Sequence, residues 1–324
     1  MTMQAFVTGA SGFIGGHLSA ALVRRGWTVR ALVHQTKLSG SPEVQAIRGD
    51  IQDFGLLKEV LQGTDVLFHL AAALGASLID RDKFFRINVE GTENVLRAAR
   101  ENAVKKVIHF SSAGVLGAVK KNDVAAEDYP LNPQNIYDLT KLEGEKTALR
   151  FAAEGMKVAV IRPGWTYGPG DRRTFKLIKS INQGRFFLVA GGKGVQTPIY
   201  IEELVDGILL CAENGRPGEI YHLAGKEILQ VREMAEDIAA ACGKRIPRFS
   251  LPRVPARLAA FALEKLFGLA GKEAPLSRSK LSFFLHSKPL SIQKAEREFG
   301  FSPGTDFKKG IRLAVSWYKE NGWL

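Results

Sequence analysis

The sequence predicts an α/β chain: a doubly wound parallel sheet with helices on both faces, followed by a smaller, mostly helical C-terminal substrate domain. Three observations carry this. Short β-rich runs alternate with amphipathic helical runs through the first half. A glycine-rich turn, TGASGFIGG, joins the first run to the first helix. From Gly164 the alternation breaks into loops rich in Gly and Pro, and beyond Gly225 the chain is mostly helical.

In order, the expected strands are AFVT (5–8), TVRALV (28–33), VQAIRG (44–49), DVLFHLA (65–71), KVIHFS (106–111) and KVAVIRP (157–163). Helices are expected near 13–25, 54–61, 82–101 and 135–153, where apolar residues recur at helical spacing. Between the loops PGWTYGPGD and VAGGKGVQTP stands a helical run, TFKLIKSINQG. A strand TPIYI (197–201), a helix ELVDGILLCAEN and a strand EIYHLA (219–224) then read as a return to the first domain. The expected division is therefore discontinuous: 1–166 and 198–224 form a dinucleotide-binding domain, and 167–197 and 225–324 a substrate-binding domain. The helical runs VREMAEDIAAACG, VPARLAAFALEKLF and FKKGIRLAVSWYKENG complete the latter.

Composition bounds the function classes. With 324 residues, 45% hydrophobic and 24% charged, the chain matches an ordinary folded protein. No run of about 18 apolar residues occurs, and MTMQAFVTGA passes straight into a strand, so a cytoplasmic location is expected. The two cysteines, Cys211 and Cys242, sit in apolar helical runs, and the six histidines show no i, i+4 pair. No metal is expected. The net charge of +12 is spread along the chain without a zinc-finger or RNA-binding motif, which argues against nucleic acid and leaves an anionic cofactor or a membrane surface.

In TGASGFIGG, Gly9, Gly12 and Gly15 recur every three residues. Glycine suits a strand-to-helix junction where the turn is tight, the backbone approaches a pyrophosphate and the helix packs closely; amides at the helix start then face the phosphates. An acidic residue about twenty positions on would bond the ribose of NAD. None occurs before Glu43; instead Arg30 precedes, and His34 and Lys37 end, the second strand region. This favours NADP(H), with NAD(H) as the alternative.

In NIYDLTKLEGEK, Tyr137 lies four positions before Lys141, on one helix face. Spacing alone leaves two readings: a phenol with its charge partner, or an interfacial aromatic beside a lysine balanced by Glu143 or Glu145.

Taken together, TGASGFIG, GDIQD, HLAA, NVEGTENVLRAA, SSAGVLG, YDLTK and RPGWTYGPGD, in that order, resemble the extended short-chain dehydrogenase/reductase family, also called the NAD-dependent epimerase/dehydratase family. The later runs LPRVPARLAAFALEKLFGLAGKEAPLS, KAEREFGFSP and SWYKENGWL look like its 3β-hydroxysteroid dehydrogenase and dihydroflavonol reductase-like branches. The resemblance implies a Rossmann-type fold in which Gly9, Ser11, Gly12, Phe13, Ile14 and Gly15 form the nucleotide turn. It also implies that Asp50 and Ile51 border the adenine, that Leu70, Ala71 and Ala72 line the groove, that Asn88 lies near the active site, and that Pro163 and Gly164 flank the nicotinamide. Asp50 also reads as a turn carboxylate or helix cap, and Asn88 as an ordinary helical hydrogen bonder.

Counted back from Gly117, the family register makes Ser112 the catalytic serine, with Ser111 the runner-up. Gly114 stands where many sugar-nucleotide members carry a hydroxyl residue. Interconverting an alcohol and a ketone needs hydride transfer and proton management at oxygen. The resemblance assigns these to Ser112, Tyr137 and Lys141, the ammonium lowering the phenol pKa and holding the cofactor ribose.

The expected function is an NAD(P)-dependent oxidoreductase interconverting a secondary alcohol and ketone on a fairly apolar molecule, since Gln196 replaces the arginine that commonly grips a diphosphate before the IYI-like strand. A nucleotide-sugar 4-epimerase or dehydratase is the alternative; a noncatalytic dinucleotide-sensing module is an alternative of another class. Trp165, Thr166 and Tyr167 border substrate or pack between domains. Arg253, Arg257 and Lys265 lie on an apolar helix that either packs inside the protein or touches an anionic membrane. The resemblance implies a homodimer through the helices near 82–101 and 135–153.

Overall fold

Apolar side chains at two periods build the first domain. The central strands are buried on both faces, so they read as near-continuous runs such as AFVT and VLFH rather than as alternating ones. The computed structural model describes residues 2–36, 38, 42–74, 80–247, 249–269, 274 and 276–324.

In chain order come β1 (Gln4–Thr8), α1 (Phe13–Arg24), β2 (Thr28–Val33), β3 (Gln45–Arg48), α2 (Phe54–Val60), β4 (Val66–His69), α3 (Arg81–Phe85), a π-helical turn (Arg86–Glu90), α4 (Gly91–Glu101) and β5 (Lys106–Phe110). Next are α5 (Ile136–Ala153), β6 (Val158–Pro163), β7 (Trp165–Tyr167), α6 (Arg172–Asn182), β8 (Leu188–Val189), β9 (Val195–Gln196), β10 (Pro198–Tyr200), α7 (Ile201–Asn214) and β11 (Ile220–Leu223). The chain ends with β12 (Leu229–Gln230), α8 (Val231–Ala241), β13 (Ser250–Leu251), α9 (Arg253–Leu269), α10 (Arg278–Leu285), α11 (Gln293–Phe299) and α12 (Phe307–Glu320).

Seven parallel strands form the main sheet in the order β3-β2-β1-β4-β5-β6-β11. This is a Rossmann-type sheet whose order reverses at β1 and β4, opening a crevice at their carboxyl ends where such folds bind ligands. Side-chain alternation divides the core. Val7, Phe68, Ile108 and Ile161 pack with Leu18 of α1 and Leu204 and Ile208 of α7, whereas Phe6, Leu67, Val107 and Val160 pack with Leu57, Val95, Leu96 and Phe151 of α2, α4 and α5.

The two later strands join different sheets. EIYHLA joins the main sheet as β11, but TPIYI yields β10, which pairs with β7 outside it, Pro198 opposite Trp165. The switch is made at Gly164. Its amide donates to Leu223 O (2.8 Å), whereas the next amide, of Trp165, donates to Thr197 O (3.2 Å), so the chain changes neighbours within one residue. A β-carbon on Gly164 would stand 2.5 Å from Thr197 O, which is why glycine is required there. The expected helix near 82–101 is also divided, by the π-helical turn carrying Asn88.

The remainder is mostly helical, with small pairings of β8 with β13 and β9 with β12. The segment from Ser287 to Leu290 threads between the two parts: Val119 N donates to Ser287 O (2.9 Å), Lys288 N to Val195 O (2.7 Å) and Ala125 N to Pro289 O (2.9 Å). Among the described residues no helix is long and apolar enough to cross a membrane.

Candidate active site

The glycine turn lies at the sheet's switch point. Gly9 has φ of +73°, and a β-carbon there would stand 2.7 Å from Ala71 N; one on Gly15 would stand 2.3 Å from Gly9 O. Both are therefore needed for the close approach of β1, β4 and α1. Gly12 begins α1 with extended backbone and no capping side chain, and the first turn holds no acidic residue. The amides of that turn, including those of Phe13 and Ile14, stay available to an anion, with the helix dipole in support. Ser11 is half-buried in the same turn. These residues fit the phosphates of a dinucleotide.

At the far end of the crevice, Asp50 Oδ1 accepts from Gln52 N (3.0 Å) and Asp50 Oδ2 lies 3.4 Å from His34 Nε2. The carboxylate thus serves its own turn while its second oxygen meets the imidazole at the end of β2. Ile51 is buried, its side chain against the bare Cα of Gly91. Arg30 points elsewhere: it donates to Gln62 O (2.6 Å) and Thr64 Oγ1 (3.1 Å) and stacks on Phe6. It is therefore not the basic neighbour that its position in sequence suggested. Lys37 lies outside the described residues.

Leu70, Ala71 and Ala72 are half-buried just beyond β4. A hydrogen-bond chain that the sequence reading missed holds them. Ala71 N donates to Thr8 Oγ1 (3.2 Å), whose hydroxyl faces His69 Nδ1 (2.7 Å); His69 Nε2 meets Thr92 Oγ1 (3.0 Å), which donates to Asn88 O (2.8 Å). The consistent assignment puts the ring proton on Nε2. Burial, reinforced by the Lys141 charge, pushes the His69 pKa down to about 3, so the ring is neutral. Asn88 is buried and satisfied within the protein: its Oδ1 accepts from Ala73 N (2.7 Å) and its Nδ2 donates to Thr140 Oγ1 (3.0 Å). It braces the loop after β4 against α5. The only hint of this network in sequence was the histidine of HLAA.

The opposite wall carries Ser112, Tyr137 and Lys141. Ser112 ends the segment after β5 and caps a short 3₁₀ turn, its Oγ accepting from Gly114 N (3.0 Å). The Ser112 side chain lies close enough to Tyr137 to lower the pKa of its phenol. Ser111 is buried, with no partner for its hydroxyl among the described residues, so the structure separates the two serines. Lys141 is buried one turn along α5, donating to Phe110 O at the end of β5. Burial lowers its pKa to about 8, opposed by Glu145.

Tyr137 differs from expectation in one respect. Its pKa is pushed up to about 12, chiefly by burial; Asp138 adds to the rise, while Arg173 and Ser112 oppose it. The opposing cation is thus Arg173 of α6 and not Lys141, whose ammonium is drawn to the Phe110 carbonyl. Asp138 is buried, its Oδ2 accepting from Asn135 Nδ2 (2.7 Å) while Asn135 Oδ1 caps α5 by accepting from Asp138 N (2.9 Å). Burial raises its pKa, opposed by Lys288, by hydrogen bonds from Asn135 and the Gln134 backbone, and by His286. Neither Asp138 nor Arg173 stood out in sequence: Asp138 adjoins Tyr137 but its burial is set by the fold, and Arg173 acts from α6.

Pro163 and Gly164 lie at the end of β6, where the strand switches partners. Half-buried Trp165 stacks on Tyr167 (centroids 5.8 Å apart, planes at 17°) and lies 5.5 Å from Phe283 of α10. Tyr167 and Thr166 are themselves core residues. Gln196 is buried, its Nε2 donating to Phe283 O (3.2 Å) and His286 O (3.0 Å), so its amide fastens the end of α10. Among the described residues no cluster of His, Cys, Asp or Glu has the arrangement of a metal site.

Sheet order, glycine turn and flanking helices define a nucleotide-dependent α/β enzyme. Residues 5–224 match the model of the NAD dependent epimerase/dehydratase family, and the chain belongs to that family. Over 317 residues it is 32% identical to a 4-hydroxy-2-methyl-3-oxo-4-farnesyl-3,4-dihydroquinoline-1-oxide ketoreductase of Stigmatella aurantiaca, covering 95% of each chain. It is 30% identical to a 3 beta-hydroxysteroid dehydrogenase/Delta 5→4-isomerase of Mycobacterium tuberculosis, over 97% of this chain and 90% of that one. Among solved structures, the dTDP-glucose 4,6-dehydratase of Streptomyces venezuelae with NAD bound superposes with a TM-score of 0.81 at 26% identity, covering 99% of this chain and 98% of that one. The protein is thus an enzyme of the extended short-chain dehydrogenase/reductase type, of the oxidoreductase and epimerase kind.

Proposed function

We propose that this enzyme reduces a ketone on a fairly apolar small molecule, or oxidises the matching secondary alcohol, with Ser112, Tyr137 and Lys141 as its catalytic residues. The convergence of α5 on the end of β5 carries the reading: Lys141 donates to Phe110 O, two residues before Ser112, and Tyr137 stands one turn earlier on the same helix, near enough to Ser112 for the serine to lower its pKa, so that two hydroxyls can serve one carbonyl oxygen. A phenol with a pKa near 12 is protonated at neutral pH, so it suits donation to the oxygen as it gains charge, while Ser112 donates a second hydrogen bond. Buried Lys141 supplies positive charge on the same helix face and has donors left for a ribose hydroxyl. The nicotinamide dinucleotide, when bound, supplies or accepts the hydride.

The dinucleotide would be held by Gly9, Ser11, Gly12, Phe13, Ile14 and Gly15 at the phosphates and by Asp50 and Ile51 at the adenine. Leu70, Ala71 and Ala72 would line its groove, with Lys141 at the ribose and Pro163 and Gly164 at the nicotinamide. NADP(H) is the favoured form, since the first carboxylate after β2 is Glu43 and His34 stands at the end of that strand. An apolar substrate is supported by Gln196, whose amide is engaged with backbone carbonyls, and by the aromatic wall of Trp165 and Phe283. The related ketoreductase and hydroxysteroid dehydrogenase, both named for apolar ring compounds, support the same class. A homodimer through α4 and α5 completes the proposal, to be tested by sedimentation velocity.

The deciding experiment titrates the protein with NADPH and NADH, then follows NADPH absorbance with steroid and bicyclic ketones and with UDP- and dTDP-sugars. Stoichiometric oxidation with a ketone is expected. Tightly retained NAD and sugar conversion without net cofactor use would replace this reading with an epimerase or dehydratase.

A further inference from the structure

Of the twelve exposed large apolar side chains among the described residues, five fall between Phe249 and Leu266, a stretch of 18 of the 324 residues. Phe249 is 63% exposed, Val254 67%, Leu258 66%, Phe261 47% and Leu266 63%. Their spacing explains the concentration. On α9, positions 254, 258 and 261 fall on one stripe with Lys265, Leu266 is exposed at the edge of that side, and Ala256 and Ala260 on the opposite face are buried against Leu281 and Val189. The helix thus keeps Ala256 and Ala260 buried and Leu263 and Phe267 half-buried while a stripe of large apolar side chains faces outward.

Cations lie on and beside that outer face. Arg253 and Arg257 are exposed at its start, and the Lys265 ammonium lies 4.8 Å from the centre of the Phe261 ring. Lys244 and Arg245 are exposed in the loop leading to Phe249. A second copy of the chain would bring like charges together across a two-fold axis, which is unfavourable, whereas an anionic lipid surface complements both the apolar stripe and the cations. The helix cannot cross a bilayer, since the described residues contain no span long and apolar enough. Lying flat is the geometry its pattern suits.

We propose that α9 docks on an anionic membrane surface, with Val254, Leu258, Phe261 and Leu266 in the acyl boundary and Arg253, Arg257 and Lys265 among the headgroups. Because α9 packs on α10, which contributes Phe283 to the aromatic wall, docking holds that side of the site near the lipid. This inference stands independently of the proposed reaction.

The test is co-sedimentation of the full chain with phosphatidylcholine vesicles with and without phosphatidylglycerol. The wild-type chain is expected to sediment with the anionic vesicles about tenfold more than with neutral ones, and to be released by salt. The double variant Leu258→Glu/Phe261→Glu and, separately, Arg253→Glu/Arg257→Glu are expected to stay in the supernatant while keeping the wild-type circular dichroism spectrum. Wild-type protein remaining in the supernatant, or either variant sedimenting as the wild type does, overturns the proposal. So does concentration-dependent dimerisation that the Leu258→Glu/Phe261→Glu change abolishes without any vesicle binding by the wild type.

Discussion

The carboxyl group of Asp138 occupies the space that a side chain at Gly114 would take: a β-carbon there would stand 1.8 Å from Asp138 Oδ1 and 3.0 Å from Ser112 Oγ. Position 114 is glycine because a side chain of α5 has already filled its place. Gly114→Ala is expected to destabilise the protein by about 1–3 kcal/mol, as overpacking does, and to lower kcat by disturbing Ser112. Urea denaturation and steady-state kinetics check both.

The proposed reaction gives Tyr137 and Ser112 different duties. Tyr137→Phe removes the proton donor and is expected to cut ketone reduction by about 10²–10⁴-fold, with dinucleotide affinity little changed. Ser112→Ala keeps the donor and loses the second hydrogen bond, so a smaller loss is expected. Asp138→Asn removes a charge that raises the phenol pKa, so the high-pH limb of the reduction rate should move to lower pH.

The glycine turn gives a test that needs no substrate. Gly15→Val would drive its β-carbon into Gly9 O, 2.3 Å away, and part α1 from β1. Loss of NADPH and NADH binding by fluorescence titration is expected.

Buried neutral histidines should set the acid limit. The pKa values of His69 and His222 are both pushed down to about 3, first by burial. The unfolded chain binds these protons near pH 6.5 and the folded one does not, so stability is complete above pH 6.5 and falls as pH drops toward 3. Each histidine should contribute a slope of about 1.4 kcal/mol per pH unit in that window. Chemical denaturation at a series of pH values measures it, and His69→Gln should flatten the slope.

A buried ion pair ties α5 to β6. Arg162 Nε donates to Glu145 Oε2 (2.9 Å) and Arg162 Nη2 to Glu145 Oε1 (2.6 Å), with both side chains nearly inaccessible. Glu145→Gln would strand the guanidinium and is expected to cost about 3–5 kcal/mol. It would also lower the Lys141 pKa further, because Glu145 is the group that opposes burial there. Thermal unfolding and the pH dependence of dinucleotide binding check the two effects.

Through a family resemblance the sequence offered Ser112, Tyr137 and Lys141 as candidates, and by itself it determined the glycine turn and six strands of the first domain within a residue or two at most ends. Those features are local: strand period, helical spacing and a turn that tolerates no side chain are written in consecutive residues. Tertiary structure alone decided the placement of TPIYI beside β7, because that pairing depends on where the Gly164 backbone changes neighbours. It alone decided the partners of Asn88, His69 and Gln196, each satisfied by residues far along the chain. It also decided the environment of Tyr137, since a pKa follows from burial and from charges brought near by folding, which spacing along one helix does not reveal.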